Sequence, residues 1–481
     1  MTLSPREDME SPTPGGAGLV QTLQTGRAHG LWAQALQLQD RDGALRALNA
    51  LGPAAEASAE DWRDPRTAAM RLWQAQTWLH QGRAGESARL LTLIERRSGQ
   101  SAETRLLAAR QALFRNDFEA CASASSEAVT LGGPDHEAYG PACRLWAEAL
   151  CLAGQKTRAR RLLMRVLADV APLTNPDMRS LRQTIETIDD LDEYCGFLSG
   201  HFDPARSTCR AALYHYAMAC RDLGLYERAT SAIRRRFLVT VEGETYGARA
   251  AAPAKPGWAQ DAAAAMRDFD TALKQANTPF FLISGTLLGC VRSGDILGHD
   301  KDIDVGVMET PELDRDAVHA ALTGSGVFLV KPYEKPTLLR LQHASGVVID
   351  LFWHRLEDGR IIHEGMKTKW WNTPFDLIPA PFLGGSFLIP DDHARYLGEN
   401  YGDWQVVDPE FETFVDTPNM IVTNPDEMVW YYYAKLPDYY VLGKGAQFRK
   451  IFHELALARP DDTALRDVGY RVLPLLEARA D

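Results

Sequence analysis

Two aspartates one residue apart, Asp302 and Asp304, stand in the run Lys301-Asp302-Ile303-Asp304-Val305-Gly306-Val307. If that run is a strand, positions i and i+2 share a face, about 6–7 Å apart along the chain. The two carboxylates can then converge on one divalent ion or a close pair, while Ile303 and Val305 face the core. Hard oxygen ligands suit Mg²⁺ or Mn²⁺. Upstream lies Phe280-Phe281-Leu282-Ile283-Ser284-Gly285-Thr286-Leu287-Leu288-Gly289, an apolar strand running into a Gly-Thr turn where a helix begins. Backbone N–H groups at a helix start can hold a phosphate, and Gly285 has no Cβ to keep a ligand away. Ser284, Gly285 and Thr286 are therefore candidate substrate contacts. Arg292 is another, because a guanidinium grips phosphate with two parallel donors. Asp300 reads as an auxiliary ligand or substrate contact, with a loop-capping role as the alternative.

A third carboxylate is expected on a neighbouring strand, and Val347-Val348-Ile349-Asp350-Leu351-Phe352 supplies one. An unpaired carboxylate in such an apolar run costs several kcal/mol. A metal would remove that cost; a buried salt bridge to Arg340 would do so as well. Lys367 and Lys369 flank a Trp370-Trp371 pair. They could hold a phosphate while an indole stacks on a base or a cationic group; the alternative is core tryptophans beside solvated lysines. His299 is expected to orient a neighbour and Lys301 to be exposed. Tyr401-Gly402-Asp403-Trp404 reads as a structural helix end, and Tyr431 to Tyr433 as packing for the last helices.

These groups need a scaffold. The 481 residues carry a net charge of −12, with 45% hydrophobic and 24% charged residues. That is soluble globular composition, and it lacks the basic footprint that nucleic acid requires. Seven cysteines without C-x-x-C spacing read as thiols in a reducing compartment. With no apolar leader or membrane span evident, the expected location is cytoplasmic, compatible with peripheral docking at the inner face of the membrane. Residues 1–26 read as a disordered lead. Residues 27–245 read as helical throughout, with a recurring turn: Gly82, then Asn116 34 residues on, Gly154 after 38, and Gly224 after 70. Each precedes a small residue where two helices approach. The pattern resembles a degenerate tetratricopeptide repeat, with Trp73, Trp78, Leu113 and Trp146 as packing residues; an irregular bundle is the alternative. Beyond a Pro/Gly boundary at 241–258, short apolar runs alternate with helical patterns at Trp258 to Ala276, Glu312 to Leu322 and Asp391 to Tyr401. The expected fold is α+β: the helical repeat unit, a mixed domain over 258–425, and a helical extension over 426–481.

Residues 282–307 resemble the LicD and fukutin-related family, whose pattern is a hydrophobic strand, S-G-T-L-L-G, an Arg, a Gly and then D-x-D-I-D. Gly384-Gly385, Ile389-Pro390, Tyr396-Leu397 and Tyr401-Gly402-Asp403-Trp404 extend the likeness over about residues 262–410. It implies a nucleotidyltransferase-like fold, with Asp302 and Asp304 matching the paired metal ligands and Asp350 the third. It implies transfer of a substituted phosphate from a CDP-activated donor, CDP-choline or a CDP-alditol, to a glycan hydroxyl, with a carboxylate such as Asp350 accepting the proton. Lys301 stands where many members carry another carboxylate, which bears on the substrate pocket. Two other functions are weighed: transfer of a nucleoside monophosphate to a small molecule or protein, and a helical scaffold with an inert C-terminal domain. In either case the repeats offer a surface for a protein partner.

Overall fold

The computed structural model describes residues 62, 64–168, 170, 173–198, 203–250, 257–298, 300–331 and 336–477. The expected disordered lead, the start of the repeat unit at 27–61, and His299 lie outside the described residues.

Helices α1 (Pro65–His80), α2 (Ala84–Ser98), α3 (Ala102–Phe114), α4 (Phe118–Gly132), α5 (Tyr139–Leu152) and α6 (Lys156–Val166) run as successive hairpins. They are followed by α7 (Asn175–Arg182), α8 (Ile188–Leu198), α9 (Arg210–Asp222) and α10 (Tyr226–Gly243). The four turn residues read from the sequence all take positive φ: Gly82 at 80°, Asn116 at 57°, Gly154 at 72° and Gly224 at 71°. Each closes its helix with the same pair of bonds. Around Gly82, for example, the Gly82 N–H donates to Leu79 O at 3.0 Å and the Arg83 N–H to Trp78 O at 2.8 Å. This left-handed end satisfies the last carbonyls and turns the chain back on itself. The small residues that follow, Ser87, Cys121, Ala159 and Ala229, are buried. Asn116 stands where the other turns have glycine, and its amide Nδ2 donates across to Phe328 O at 3.2 Å and Thr323 O at 3.3 Å.

The second half holds β1 (Phe281–Leu282), β2 (Asp302–Met308), β3 (Phe328–Lys331), β4 (Leu338–His343), β5 (Val348–Glu357), β6 (Arg360–Glu364), β7 (Thr368–Asn372), β8 (Leu377–Phe382), β9 (Gly385–Pro390) and β10 (Met420–Val422). Between them lie α11 (Trp258–Gln275, before β1), α12 (Ser284–Ser293), α13 (Arg315–Gly324), α14 (His393–Tyr401) and α15 (Thr413–Asp416). The strand order is β10-β7-β6-β5-β2-β1-β9-β8, with β3 joined through β4 to β5. β2 runs parallel to β5 and β1 parallel to β9; the other pairs are antiparallel. One face of the centre carries Ile303, Val305, Ile349 and Leu351, all buried in one core with Ala265, Met266 and Phe269 of α11. Period-two alternation therefore sends the residues between them, including all three aspartates, to the other face.

The last three helices, α16 (Pro425–Leu442), α17 (Gly445–Ala458) and α18 (Thr463–Glu477), pack on the helical unit. Leu436, Phe448, Ile451 and Val468 share a core with Leu163, Tyr194, Ile233 and Phe237. The chain thus leaves the helical unit, builds the sheet, and returns. The 241–258 boundary takes part in that return: the Gly247 and Arg249 N–H groups donate to Tyr440 O and Val441 O at 3.0 and 2.9 Å. Tyr432 and Tyr433 are buried in this core with Tyr431 partly so, as the sequence suggested. Among the described residues no helix is long and apolar enough to cross a membrane.

Candidate functional site

The site starts where β1 becomes α12. Ile283 is extended at the helix N-cap and provides no side-chain bond to the first turn. Ser284 follows with φ of 50°, an uncommon conformation for a residue with a Cβ. The first-turn N–H groups are therefore not consumed by a capping side chain. Thr286 ties this turn to the acidic strand: its buried Oγ1 accepts the Asp304 N–H at 2.9 Å. Gly289, one turn on, lets the loop that leads back to β2 come close, since a Cβ there would fall 2.6 Å from Asp295 O.

Asp302 is accessible and Asp304 half-buried on the same face of β2. In register, Asp304 pairs with Asp350 across the parallel β2–β5 ladder, and Asp350 with Arg340 across β4–β5. The carboxyls of Asp302 and Asp304 are both raised above the ordinary range. For Asp302, the more open of the two, partial loss of solvent at the cleft floor is the first cause, followed by the charge of Asp350. For Asp304 burial is again first, followed by the charges of Asp302, Asp350 and Asp300, and the shift is larger. Such mutual repulsion marks a site built to meet positive charge.

Asp350, expected as the third metal ligand, has a different partner here. It is buried, and Arg340 holds both its oxygens: Nε donates to Oδ1 at 2.8 Å and Nη2 to Oδ2 at 2.5 Å. The salt bridge weighed from the sequence is the arrangement observed. Among the described residues no set of three His, Cys, Asp or Glu side chains converges as a closed metal cage. The donor set still fits a hard divalent ion, because Mg²⁺ is commonly held by one or two carboxylates and completes its shell with water and substrate phosphate. Asp302 and Asp304 are two carboxylates of that kind on one face of β2.

A cleft of about 1020 Å³ opens over this face. Ser284, Gly285 and Thr286 bring the α12 first turn to it, and Asp302 and Asp304 lie at its floor. Asp300 also lines it, with its Oδ2 3.0 Å from where a Gly285 Cβ would sit. Arg292 lines it from the last turn of α12, without an ion-pair partner among the described residues. Lys367 and Lys369 are not on its wall. The Lys367 ammonium sits 3.6 Å from the Phe414 ring centre and 4.4 Å from that of Tyr431, and burial lowers its pKa to about 8. Lys369 pairs with Glu357 at 3.3 Å. Of the two tryptophans, Trp370 reaches the cleft, whereas Trp371 lies under the Arg360 guanidinium at 3.9 Å. Strand alternation explains the split, since neighbours on β7 face opposite ways. Lys301 is exposed.

Several walls were not anticipated. Phe352 and His363 line the cleft beside Trp370. Phe352 lies two residues past Asp350 on the same strand, so period two from Asp350 was a usable signal for it. Tyr401 and Trp404 do end a helix, but they also line the cleft. Tyr439 and Lys444 reach it from α16 and the start of α17, contacts with no local sequence signal.

Residues 277–392 match the family described as LicD/FKTN/FKRP, nucleotidyltransferase domain. The chain is similar to ribitol-5-phosphate transferase FKTN of Mus musculus, 27% identical over 158 residues, covering 31% of this chain and 34% of that one. It is also similar to FKTN of Homo sapiens, 27% identical over 144 residues (28% and 31% coverage). Ribitol 5-phosphate transferase FKRP of Homo sapiens is 24% identical over 151 residues (29% and 30%). The chain spans about a third of the length of these relatives.

Proposed function

We propose, for a chain whose residues 277–392 match the LicD and fukutin-related family, that the cleft transfers a substituted phosphate from a CDP-activated donor to a glycan hydroxyl. The transferred group is phosphocholine or an alditol phosphate. The observation that carries this reading is the meeting of Asp302 and Asp304 with the uncapped first turn of α12 in one cleft.

Each part has a role on this reading. Asp302 and Asp304 would hold Mg²⁺ or Mn²⁺, which supplies charge neutralisation for the bridging phosphates. The N–H groups of the α12 first turn and the Arg292 guanidinium bind phosphate oxygens and set the donor's orientation. Thr286 fixes the distance between that turn and Asp304. Arg340 holds Asp350 in place, so the acceptor's proton passes to the carboxylate that lines the cleft and is not given to the ion, Asp300. The helical unit, continuous in its core with α16–α18, presents a surface for a protein partner beside the cleft.

The test incubates the full chain and Mg²⁺ with CDP-choline, CDP-ribitol and CDP-glycerol in turn, each with a polysaccharide acceptor whose hydroxyl takes the transferred phosphate, and measures released CMP. One donor is expected to be consumed, with Asp302→Asn and Asp304→Asn each losing most of the rate. CMP release undiminished in both variants would overturn the assignment. A product heavier by a nucleoside monophosphate would instead identify nucleotidyl transfer.

A further inference from the structure

We infer that the cleft wall made by Phe352, His363, Trp370 and Phe414 is a pocket for the donor's nucleobase rather than a cage for a cationic headgroup, with His363 as its specificity-determining residue. The inference rests on the nucleotide-donor reading above and adds which end of the donor this wall takes.

His363, Trp370 and Phe414 on the wall continue behind it, through buried His354 and Phe281, as one row of rings. Phe281 meets His354 edge-on with centroids 4.9 Å apart, and His354 lies 4.5 Å from His363. His363 stacks on Trp370 at 5.1 Å and 15°, and Trp370 stands 6.3 Å from Phe414. The row is anchored next to the acidic centre, since Asp350, Phe352 and His354 are successive same-face positions of β5. The backbone has been shaped for it: a Cβ at Gly306 would fall 2.5 Å from Phe281 Cζ and 2.7 Å from His354 Cε1.

Two features select a neutral, hydrogen-bonding ring. First, the row contains polar atoms that the fold does not satisfy. His354 uses Nδ1 on Phe352 O at 3.0 Å, but its Nε2 is buried with no hydrogen-bond partner among the described residues, and so is Nδ1 of His363. His363 is at once buried, unpaired at Nδ1 and on the cleft wall. Buried polar atoms of this kind are costly unless something bonds to them. Burial holds both imidazoles in the neutral form, able to donate from one nitrogen and accept at the other. A base presents that donor and acceptor pattern on its edge and a π-face for Trp370 and Phe414. Second, a cation is already in place. The Lys367 ammonium sits 3.6 Å from the centre of Phe414, against a ring that a quaternary ammonium would need. Its charge repels a second cation there and leaves a neutral ring unaffected.

The experiment measures binding of CMP, UMP and choline to the full chain by calorimetry in the presence of Mn²⁺. Wild type is expected to bind CMP, and choline is expected not to displace it. Trp370→Leu should weaken CMP by about 10-fold, whereas Trp370→Phe, which keeps a ring, should stay within about threefold. His363→Gln should narrow the preference between CMP and UMP; an unchanged circular dichroism spectrum and melting temperature would certify its fold. Equal CMP affinity in Trp370→Leu and wild type, an unchanged base preference in His363→Gln, or choline competing with CMP would overturn the inference and leave the donor reading standing. A wild type that neither binds CMP nor releases it from any CDP-alcohol would overturn both.

Discussion

Replacing Asp304 by Asn should make the metal-free protein more stable, not less. Asp302 and Asp304 occupy one face of β2, about 6.5 Å apart by strand geometry. At an effective dielectric of about 20, which suits a pair partly open to solvent, two unit charges at that distance repel by about 2.5 kcal/mol. Asp350 adds to this repulsion, and Arg340, which holds both its oxygens, offsets part of it. Asn keeps the shape and the backbone N–H bond to Thr286, and removes the charge. The sign with pH follows from the direction of the shift. The Asp304 carboxyl is raised well above 3.8 in the folded chain. Its contribution to stability is therefore whole below the unfolded pKa and is lost as pH rises through the folded one. Asp304→Asn should thus match wild type near about pH 4 and exceed it by about 2 kcal/mol near neutral pH in EDTA. Divalent metal should reverse the order, since an ion that binds only the folded state stabilises it by about 2.7 kcal/mol at a hundred times its Kd. The assay is urea denaturation followed by tryptophan fluorescence, with EDTA or millimolar Mg²⁺, for both proteins. If Asp304→Asn melts earlier than wild type in EDTA, or gains as much from Mg²⁺ as wild type does, the reasoning is refuted: the carboxylate would then be held by a partner and not by an ion.

Three other substitutions bear on the same architecture. Thr286→Val removes the acceptor for the Asp304 N–H and should cost about 1–3 kcal/mol in urea denaturation, with Thr286→Ser restoring most of it. Gly306→Ala drives a methyl into Phe281 and His354 and should cost about 1–3 kcal/mol, visible as a lower melting temperature and an altered near-ultraviolet dichroism spectrum. Arg340→Met leaves the buried Asp350 carboxylate without its two-donor partner. Because the Arg340 side chain is 44% exposed, about 2 kcal/mol is expected rather than the larger penalty of a fully buried pair. Adding Asp350→Leu to Arg340→Met should recover much of that loss of stability, measured by the same denaturation.

Local periodicity made much of this protein legible before any fold was known. The i, i+2 spacing placed Asp302 and Asp304 on one face and Ile303 and Val305 on the other, because side chains of a strand alternate whatever surrounds it. The apolar run into Ser284-Gly285-Thr286 marked the start of α12, and the turns at Gly82, Asn116, Gly154 and Gly224 marked helix ends that need positive φ. Choices between distant segments were not legible in this way. Asp350 had two partners compatible with its apolar run. The antiparallel register that sets Arg340 opposite Asp350 decided for the salt bridge, and that register follows from burying Leu341, Ile349 and Leu351 together. Lys367 and Trp370 were neighbours of equal promise until the tertiary structure put the ammonium behind Phe414 and the indole in the cleft. The far wall, with Tyr439 and Lys444, exists only because α16–α18 return to the helical unit across hundreds of residues of chain. A strand or a helix end is specified by residues within a turn or two. A cleft is closed by whichever apolar faces remain to be buried, and that is a property of the whole chain.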